Sequence, residues 1–141
     1  MRALALVVLA LSLLVVGCGS GASTPSPSPS PSLRTDTIGL AEMYGLRLQG
    51  QPTASEVVLP QSLAGTQWGL RLHASQNAGL PLDYHAGQRV VLKSQPIEQT
   101  IHGSAVTLWT VEEDGTVVGA GLAIADQTPG IVGVRSGANQ F

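Results

Sequence analysis

Residues 105–125, AVTLWTVEEDGTVVGAGLAIA, decide the fold of this chain. Two stretches rich in β-branched and apolar side chains, Ala105 to Glu112 and Thr116 to Ala125, flank the triplet Glu113-Asp114-Gly115. An Asp-Gly pair between two such runs is typical of the tight turn of an antiparallel hairpin. The stretch therefore predicts two neighbouring antiparallel strands.

Apolar side chains fall on both faces of this predicted hairpin. Val106 and Leu108 share one face of the first strand and Trp109 and Val111 share the other, because side chains alternate along a strand. The second strand is apolar and contains Gly119-Ala120-Gly121, which predicts that another element packs closely against it. Because the domain has few large rings, we expect Trp109 to lie in the core.

Further short strands are predicted on both sides of the hairpin. Arg89 to Ser94 is rich in Val and Leu, and Ile131 to Arg135 follows a Pro-Gly turn. Nearer the amino terminus, Leu46 to Gln49 alternates apolar and polar residues, and Glu56 to Leu59 runs extended into a proline. Together with the hairpin, these segments predict an antiparallel meander.

Two helices are predicted before the main strands. Thr35-Asp36 offers an N-cap oxygen for a short helix that ends at Gly45, where glycine can adopt the left-handed conformation. The longer segment Gln61 to Ala78 predicts the main helix, with Ser62 as its cap. The alternative is a strand, because Leu70 to Ala74 alternates with period two.

The stretch that remains after the amino-terminal segments, residues 33–141, has the length of a single small domain. Such a domain buries between about 60 and 70 % of the surface of its unfolded chain, which is enough for one core. The predicted class is α+β, an antiparallel β-meander sheet with one main helix packed on one face and a short N-terminal helix.

Cys18 is the only cysteine, so the domain lacks an internal disulfide, a thiol nucleophile and a cysteine ligand for zinc.

The amino terminus has the pattern of an export signal. Residues 1–17, MRALALVVLALSLLVVG, place one positive charge at Arg2 before an apolar run. As a helix that run would span about 21 Å, which is less than the roughly 30 Å hydrocarbon core of a bilayer. Segments of this kind are removed from the mature protein. We therefore predict that residues 1–17 are cleaved.

The residues that end this segment, Val15-Val16-Gly17-Cys18, resemble the lipobox of bacterial lipoproteins. The resemblance implies cleavage between Gly17 and Cys18 and a diacylglycerol on the Cys18 thiol. Two acyl chains, at about 0.8 kcal/mol per buried methylene, anchor a protein stably where one chain does not. The predicted location is the cell membrane, with the protein lipid-anchored through Cys18 on the extracytoplasmic face.

Residues 18–32 predict a flexible tether between the lipid and the domain. After Cys18 the chain reads GSGASTPSPSPSPS and has no large apolar side chain. Alternating Ser-Pro favours an extended conformation of about 3.1 Å per residue. The alternative, a ligand for proline-recognition domains, lacks a basic-flanked PxxP register here.

The charge of the chain argues against nucleic acid as a partner. The formal net charge is −2, and cleavage after Gly17 would make it more negative by removing Arg2. No run of Lys or Arg forms a basic face. The expected partners are the membrane, through the lipid on Cys18, and an unidentified envelope protein or small ligand.

The folded part also resembles an uncharacterised domain family of exported lipoproteins of Gram-positive bacteria. The resemblance covers about Ala41 to Val134 and implies fold and location only. The matching residues are Tyr44-Gly45, Val57-Val58-Leu59-Pro60, Gly79-Leu80-Pro81-Leu82, Gly87, Pro96 and Val117-Val118-Gly119-Ala120-Gly121.

The sequence contains no catalytic or metal-binding motif, and we predict no cofactor. Asp83-Tyr84-His85 could join His73 or His102 in a metal site, but solvated loop histidines are the favoured interpretation. Glu112-Glu113-Asp114 is interpreted as a solvated hairpin turn. No Gly-x-Ser-x-Gly elbow or nucleotide-binding glycine loop is present.

These exclusions favour a non-enzymatic binding or accessory module at the cell surface. The first alternative is a small hydrolase or metal-dependent enzyme that uses His85 with Asp83. The second is a sensor or regulatory domain of a membrane complex.

Overall fold

The computed structural model describes residues 36–65 and 67–141. In chain order these residues form α1 (Thr37–Met43), β1 (Thr53–Val58), α2 (Gln67–Asn77), a 3₁₀ turn (Leu82–His85), β2 (Arg89–Ile101), β3 (Ser104–Glu113), β4 (Thr116–Ile124), β5 (Ile131–Val132) and α3 (Val134–Ala138). The strands make one antiparallel sheet on which helices pack, so the predicted α+β class is confirmed. The predicted signal segment, Cys18 and the tether lie outside the described residues.

The β3–β4 hairpin lies where the sequence predicts it. Its strands pair from Glu113 opposite Thr116 to Val106 opposite Ile124. The turn residues Asp114 and Gly115 have φ angles of 49° and 76°. Two consecutive left-handed residues match the right-handed twist of the flanking strands, which explains the Asp-Gly pair. In the sheet, β3 lies between β2 and β4, so the hairpin forms its centre.

Buried apolar side chains cover both faces of the sheet. On one face, called the α1 face, Val106 and Leu108 pack with Leu40 and Ala41 of α1. On the opposite face, called the α2 face, the buried cluster comprises Leu59, Leu63, Trp68, Ala74, Leu82, Val90, Trp109, Val111 and Val118. Trp109 is buried, as predicted. The two-sided apolar pattern of β3 therefore reflects a sheet covered on both faces.

The glycines of β4 allow α2 to approach the sheet closely, as their position predicts. A Cβ atom on Gly119 would lie 2.9 Å from Leu82 Cδ1 and 3.0 Å from Ser75 Oγ. A Cβ atom on Gly121 would collide with the Trp109 ring and lie 2.9 Å from Ala74 Cβ. Because only glycine leaves this space free, these two positions set the depth at which α2 packs.

The structure corrects the strand predictions for Arg89 to Ser94 and for Leu46 to Gln49. β2 extends beyond Ser94 to Ile101, through Pro96, and its register with β3 shifts between Pro96 and Thr100. Leu46 to Gln49 forms only a single bridge, Leu48 to Ile97, instead of a strand. This bridge is supported by the Gln49 N–H, which donates to the Pro96 carbonyl at 2.8 Å. Pro96 is tolerated because its carbonyl can still accept where its nitrogen cannot donate.

The main helix is shorter than the predicted segment Gln61 to Ala78. α2 begins at Gln67, so Ser62 does not cap it, and the alternative strand at Leu70 to Ala74 is also wrong. Gly65 has a φ angle of 75°, which lies outside the right-handed helical region and separates the preceding turn from α2. Local periodicity did not reveal this boundary.

The predicted strand Ile131 to Arg135 is also incorrect beyond its first residues. β5 contains only Ile131 and Val132, and Gly133 then caps α3. A side chain at Gly133 would collide with Asn77 of α2, which explains why the chain turns away from the sheet at a glycine.

Within residues 36–65 and 67–141, no helix combines the length and the hydropathy that a membrane-spanning helix needs.

Candidate functional site

A pocket of about 590 Å³ opens between α1, the loop after α2 and the β3–β4 hairpin. Most of its wall is apolar, with Met43 and Tyr44 from the end of α1, Leu80 and Pro81 from the loop, and Val117 from β4. Pockets for small ligands typically have volumes of about 300–1,000 Å³, mainly apolar walls and a few polar groups. This pocket fits that description.

The α1 wall is held in place by capping at both ends of the helix. At its start, the Asp36 carboxylate accepts from the Gly39 N–H at 2.7 Å, which confirms Asp36 as the predicted N-cap. At its end, Gly45 has a φ angle of 65° and the Leu46 N–H donates to the Ala41 carbonyl at 2.8 Å. The predicted glycine stop is confirmed, and it leaves Met43 and Tyr44 facing the pocket.

The loop wall is held by the end of α2. The Leu80 N–H donates to the Ser75 carbonyl at 2.9 Å, and the Gly79 N–H donates to the Gln76 carbonyl at 2.9 Å. Gly79 has a φ angle of 74°, which lets the backbone reverse there. The loop thus presents Leu80 and Pro81 to the pocket while its N–H groups pair with the Ser75 and Gln76 carbonyls at the end of α2.

A contact between His85 and Glu113 places two polar side chains in the pocket wall. His85 Nδ1 lies 2.7 Å from Glu113 Oε2, and both residues line the pocket. Their side chains are 18 % and 32 % exposed, so the pair is neither fully buried nor fully solvated. The 3₁₀ turn positions His85 and the end of β3 positions Glu113, two segments that only tertiary packing brings together.

The pairing gives the two ring nitrogens of His85 different roles. Since a carboxylate only accepts hydrogen bonds, Nδ1 is the donor to Glu113. In the neutral imidazole Nε2 is then the acceptor.

The partner that the sequence suggested for His85 was Asp83, but the structure pairs His85 with Glu113 instead. Sequence reasoning missed Glu113 because it interpreted the whole acidic turn as solvated.

The other two histidines lie elsewhere. His73 is exposed on α2 and lines a separate pocket of about 250 Å³. His102 is exposed in the β2–β3 turn, with a φ angle of 50°. In the part of the chain that the structure describes, no three His, Cys, Asp or Glu side chains converge as metal ligands would. His73 and His102 therefore do not complete a metal site with Asp83 and His85.

The acidic run Glu112-Glu113-Asp114 is not the solvated turn that the sequence predicts. Glu112 is only 6 % exposed and points to the α1 face. Its Oε2 lies 2.6 Å from Lys93 Nζ, and its Oε1 accepts from the Thr37 hydroxyl at 2.6 Å. The Thr37 hydroxyl also lies 2.8 Å from Thr110 Oγ1. Glu112 thus belongs to a buried network and Glu113 to the pocket pair, whereas Asp114 lies in the exposed turn and also lines the pocket.

This buried network fastens the pocket wall to the sheet. Thr37 is the first residue of α1, while Glu112 and Lys93 belong to β3 and β2. A carboxylate is buried at low energetic cost only when it is paired and hydrogen-bonded, and Glu112 has both a cation and a hydroxyl. The network therefore orients α1, and α1 in turn provides Leu40, Met43 and Tyr44 to the pocket.

No protein-family model, curated protein or solved structure matches this chain. The predicted lipidation residue Cys18 and the cleavage position at Gly17 lie outside the described residues. The pocket and its His85–Glu113 pair are thus the features from which a function can be inferred.

Proposed function

We propose that this protein is a membrane-anchored, extracytoplasmic binding module that holds a small amphipathic ligand in the His85–Glu113 pocket. The observation that carries the proposal is the combination of a mainly apolar pocket of about 590 Å³ with the oriented His85–Glu113 pair at its wall. Binding sites typically combine apolar walls with a few placed polar groups, which fix the orientation of the ligand.

The pocket defines the chemistry of the ligand. The apolar side chains of Met43, Leu80 and Val117 favour a hydrocarbon or aromatic body. His85 Nδ1 contacts Glu113, so an imidazole that donates there from Nδ1 has Nε2 left to accept a hydrogen bond from a donor at one end of that body, such as a hydroxyl group. The ligand class is therefore a small apolar molecule with one donor group.

The anchored location in this proposal comes from the amino terminus. The lipobox-like residues Val15-Val16-Gly17-Cys18 supply an acylation site, and the Ser-Pro run supplies a spacer. A pocket that is held near a membrane surface suits ligands that partition between the lipid and water. The anchor and the pocket are separate parts of the proposal and are tested separately.

Binding of the neutral apolar dye N-phenyl-1-naphthylamine to the full-length mature protein tests the pocket. Met43 and Ile38 are exposed residues of the same helix, but Met43 lines this pocket and Ile38 does not. We expect Met43→Glu to weaken dye binding at least tenfold and the matched control Ile38→Glu to leave it unchanged. Equal affinity for both variants, or no saturable binding by the parent protein, would refute the pocket proposal.

A second candidate function is proton-transfer catalysis, as in a small hydrolase. The specific observation is the 2.7 Å contact between His85 Nδ1 and Glu113, since a carboxylate that orients an imidazole is the usual support of a catalytic base. Tyr44 and Thr116 are the hydroxyl residues among the described residues of the pocket wall. Turnover of 4-nitrophenyl acetate that His85→Gln abolishes would favour this candidate, and equal rates with and without His85 would eliminate it.

A further inference from the structure

The side chain of Arg71 lies between the two tryptophans of the chain. Its guanidinium carbon is 5.0 Å from the centre of the Trp68 ring and 5.5 Å from the centre of the Trp109 ring. Trp68 precedes Arg71 by one helical turn on α2, and Trp109 projects from β3 on the α2 face. Stacking of a guanidinium between two indoles restricts its rotation and fixes its plane.

Arg71 has no acidic partner among the residues of the described ranges. None of the close contacts between basic and acidic side chains there includes Arg71. They join Arg47 to Glu98, His85 to Glu113, Arg89 to Glu56 and Lys93 to Glu112. Its Nε atom is buried and has no hydrogen-bond partner in residues 36–65 and 67–141. Burial also lowers the pKa of the guanidinium below its ordinary value, because desolvation disfavours the charged form. Among the described residues, the cation is thus held in place without a neutralising anion.

The outer end of the side chain remains accessible to a ligand. Arg71 as a whole is only partly buried. Of its three guanidinium nitrogens, Nε alone is both buried and without a hydrogen-bond partner in the described residues. The two terminal nitrogens present parallel N–H groups, the geometry that matches two oxygens of a carboxylate or a phosphate. Ser94, which lies directly opposite Trp109 in the sheet and is partly exposed, adds a hydroxyl to the same face.

We propose that Arg71, clamped between Trp68 and Trp109, binds an oxyanion, a carboxylate or phosphate group of a ligand, through its terminal nitrogens. The site is distinct from the pocket of the proposed function, because neither Arg71 nor the two tryptophans line that pocket. An oxyanion here supplies the missing counter-charge. Pre-orientation of the guanidinium by the indole rings reduces the entropy lost on binding.

Tryptophan fluorescence reports on this site specifically, since the chain has two tryptophans and both contact Arg71. The full-length mature protein is titrated with sodium phosphate and, separately, with sodium acetate, at constant ionic strength maintained with sodium chloride. We expect a saturable change in fluorescence with at least one of the two salts. A response to phosphate alone or to acetate alone identifies the oxyanion, and no saturable response to either overturns the proposal.

Variants separate binding by the guanidinium from a general salt effect. Arg71→Met keeps most of the side-chain length without charge, and Arg71→Lys keeps the charge without the planar donors. We expect the dissociation constant to be at least tenfold larger in both variants. It should be unchanged in the control Arg135→Met, because Arg135 is exposed on α3. The same constant in Arg71→Met as in the parent protein would contradict the assignment.

One measurement does not depend on whether the variants fold. In the parent protein, the Nε–H resonance of Arg71 is followed by NMR during the same titrations. Binding at the terminal nitrogens predicts a saturable shift with the dissociation constant seen by fluorescence. An unshifted resonance would show that Arg71 has only a structural role and would refute the proposed site. This conclusion does not depend on the outcome of the dye-binding experiment on the His85–Glu113 pocket.

Discussion

The Ser75 hydroxyl of α2 accepts a hydrogen bond from the backbone N–H of Ala120 in β4 at 3.1 Å. Both residues are completely buried, and the same hydroxyl donates to the Arg71 carbonyl at 2.8 Å. A single serine therefore joins the main helix to the sheet at the point where Gly119 lets the helix come close. This contact is as much a part of the helix–sheet interface as the apolar side chains around it.

Replacement of Ser75 by Ala should destabilise the domain. The variant removes the acceptor of a buried N–H group, and a buried donor without a partner costs about 1–3 kcal/mol. Urea unfolding followed by circular dichroism measures the loss in the free energy of unfolding. Ser136→Ala, at an exposed position of α3, is the matched control and should change that energy by less than about 0.5 kcal/mol. Equal stabilities of the two variants would show that the Ser75–Ala120 bond contributes nothing.

Lys93→Met should destabilise the domain more than Arg89→Met does. Lys93 pairs with Glu112, whose side chain is 7 % exposed, whereas the side chains of Arg89 and its partner Glu56 are 74 % and 70 % exposed. Loss of Lys93 leaves a buried carboxylate without its cation, which we expect to cost about 1–3 kcal/mol given that Lys93 itself is partly solvated. Loss of an exposed pair costs less than about 1 kcal/mol. Chemical denaturation of both variants checks the order, and a larger loss in Arg89→Met would contradict it.

Gly121→Ala should disturb the packing of α2 on the sheet. The added methyl group collides with the Trp109 ring, and overpacking of a core typically costs about 1–3 kcal/mol. Combining it with Trp109→Phe removes the ring atoms that it meets, so the double variant should lose less free energy than the sum of the two single variants. A strictly additive cycle, measured by denaturant unfolding, would mean that the clash is not with Trp109.

The His85–Glu113 pair should confer a preference for ligands that donate a hydrogen bond. We expect 2-naphthol to bind about tenfold more tightly than 2-methoxynaphthalene, because only the former can donate to Nε2 and such a bond contributes about 1.4 kcal/mol. His85→Leu should bind both compounds with equal affinity. Titration calorimetry measures the ratios. If the leucine variant kept the preference, its source would lie outside His85.

Lipidation of Cys18 remains a prediction from the sequence, and it has a direct test. The mature protein should carry the mass of a diacylglycerol and partition into the detergent phase. Cys18→Ala should lose both properties, because it has no thiol for the lipid. Intact mass spectrometry and detergent phase separation provide the measurements. A parent protein of unmodified mass that stays in the aqueous phase would disprove the anchor.

Local chemistry alone determined much of the secondary structure. Asp114-Gly115 set the hairpin because few residue pairs tolerate two successive positive φ angles. Asp36 and Gly45 set the ends of α1 because both act on backbone groups within a turn of themselves. Gly119 and Gly121 indicated a close contact, because glycine weakens a strand interior and is often found where another element approaches closely.

Only the tertiary structure decided the candidate sites. Glu113 reaches His85, Lys93 reaches Glu112 and Arg71 reaches Trp109, each from a different element of the fold. Such pairs depend on the strand register and on the depth at which α1 and α2 pack, and neither quantity is contained in the periodicity of one segment. The sequence by itself therefore determined where the strands of the hairpin and the first helix lie. Long-range packing decided the environment of each charge, because burial and pairing depend on neighbours that are distant in the chain.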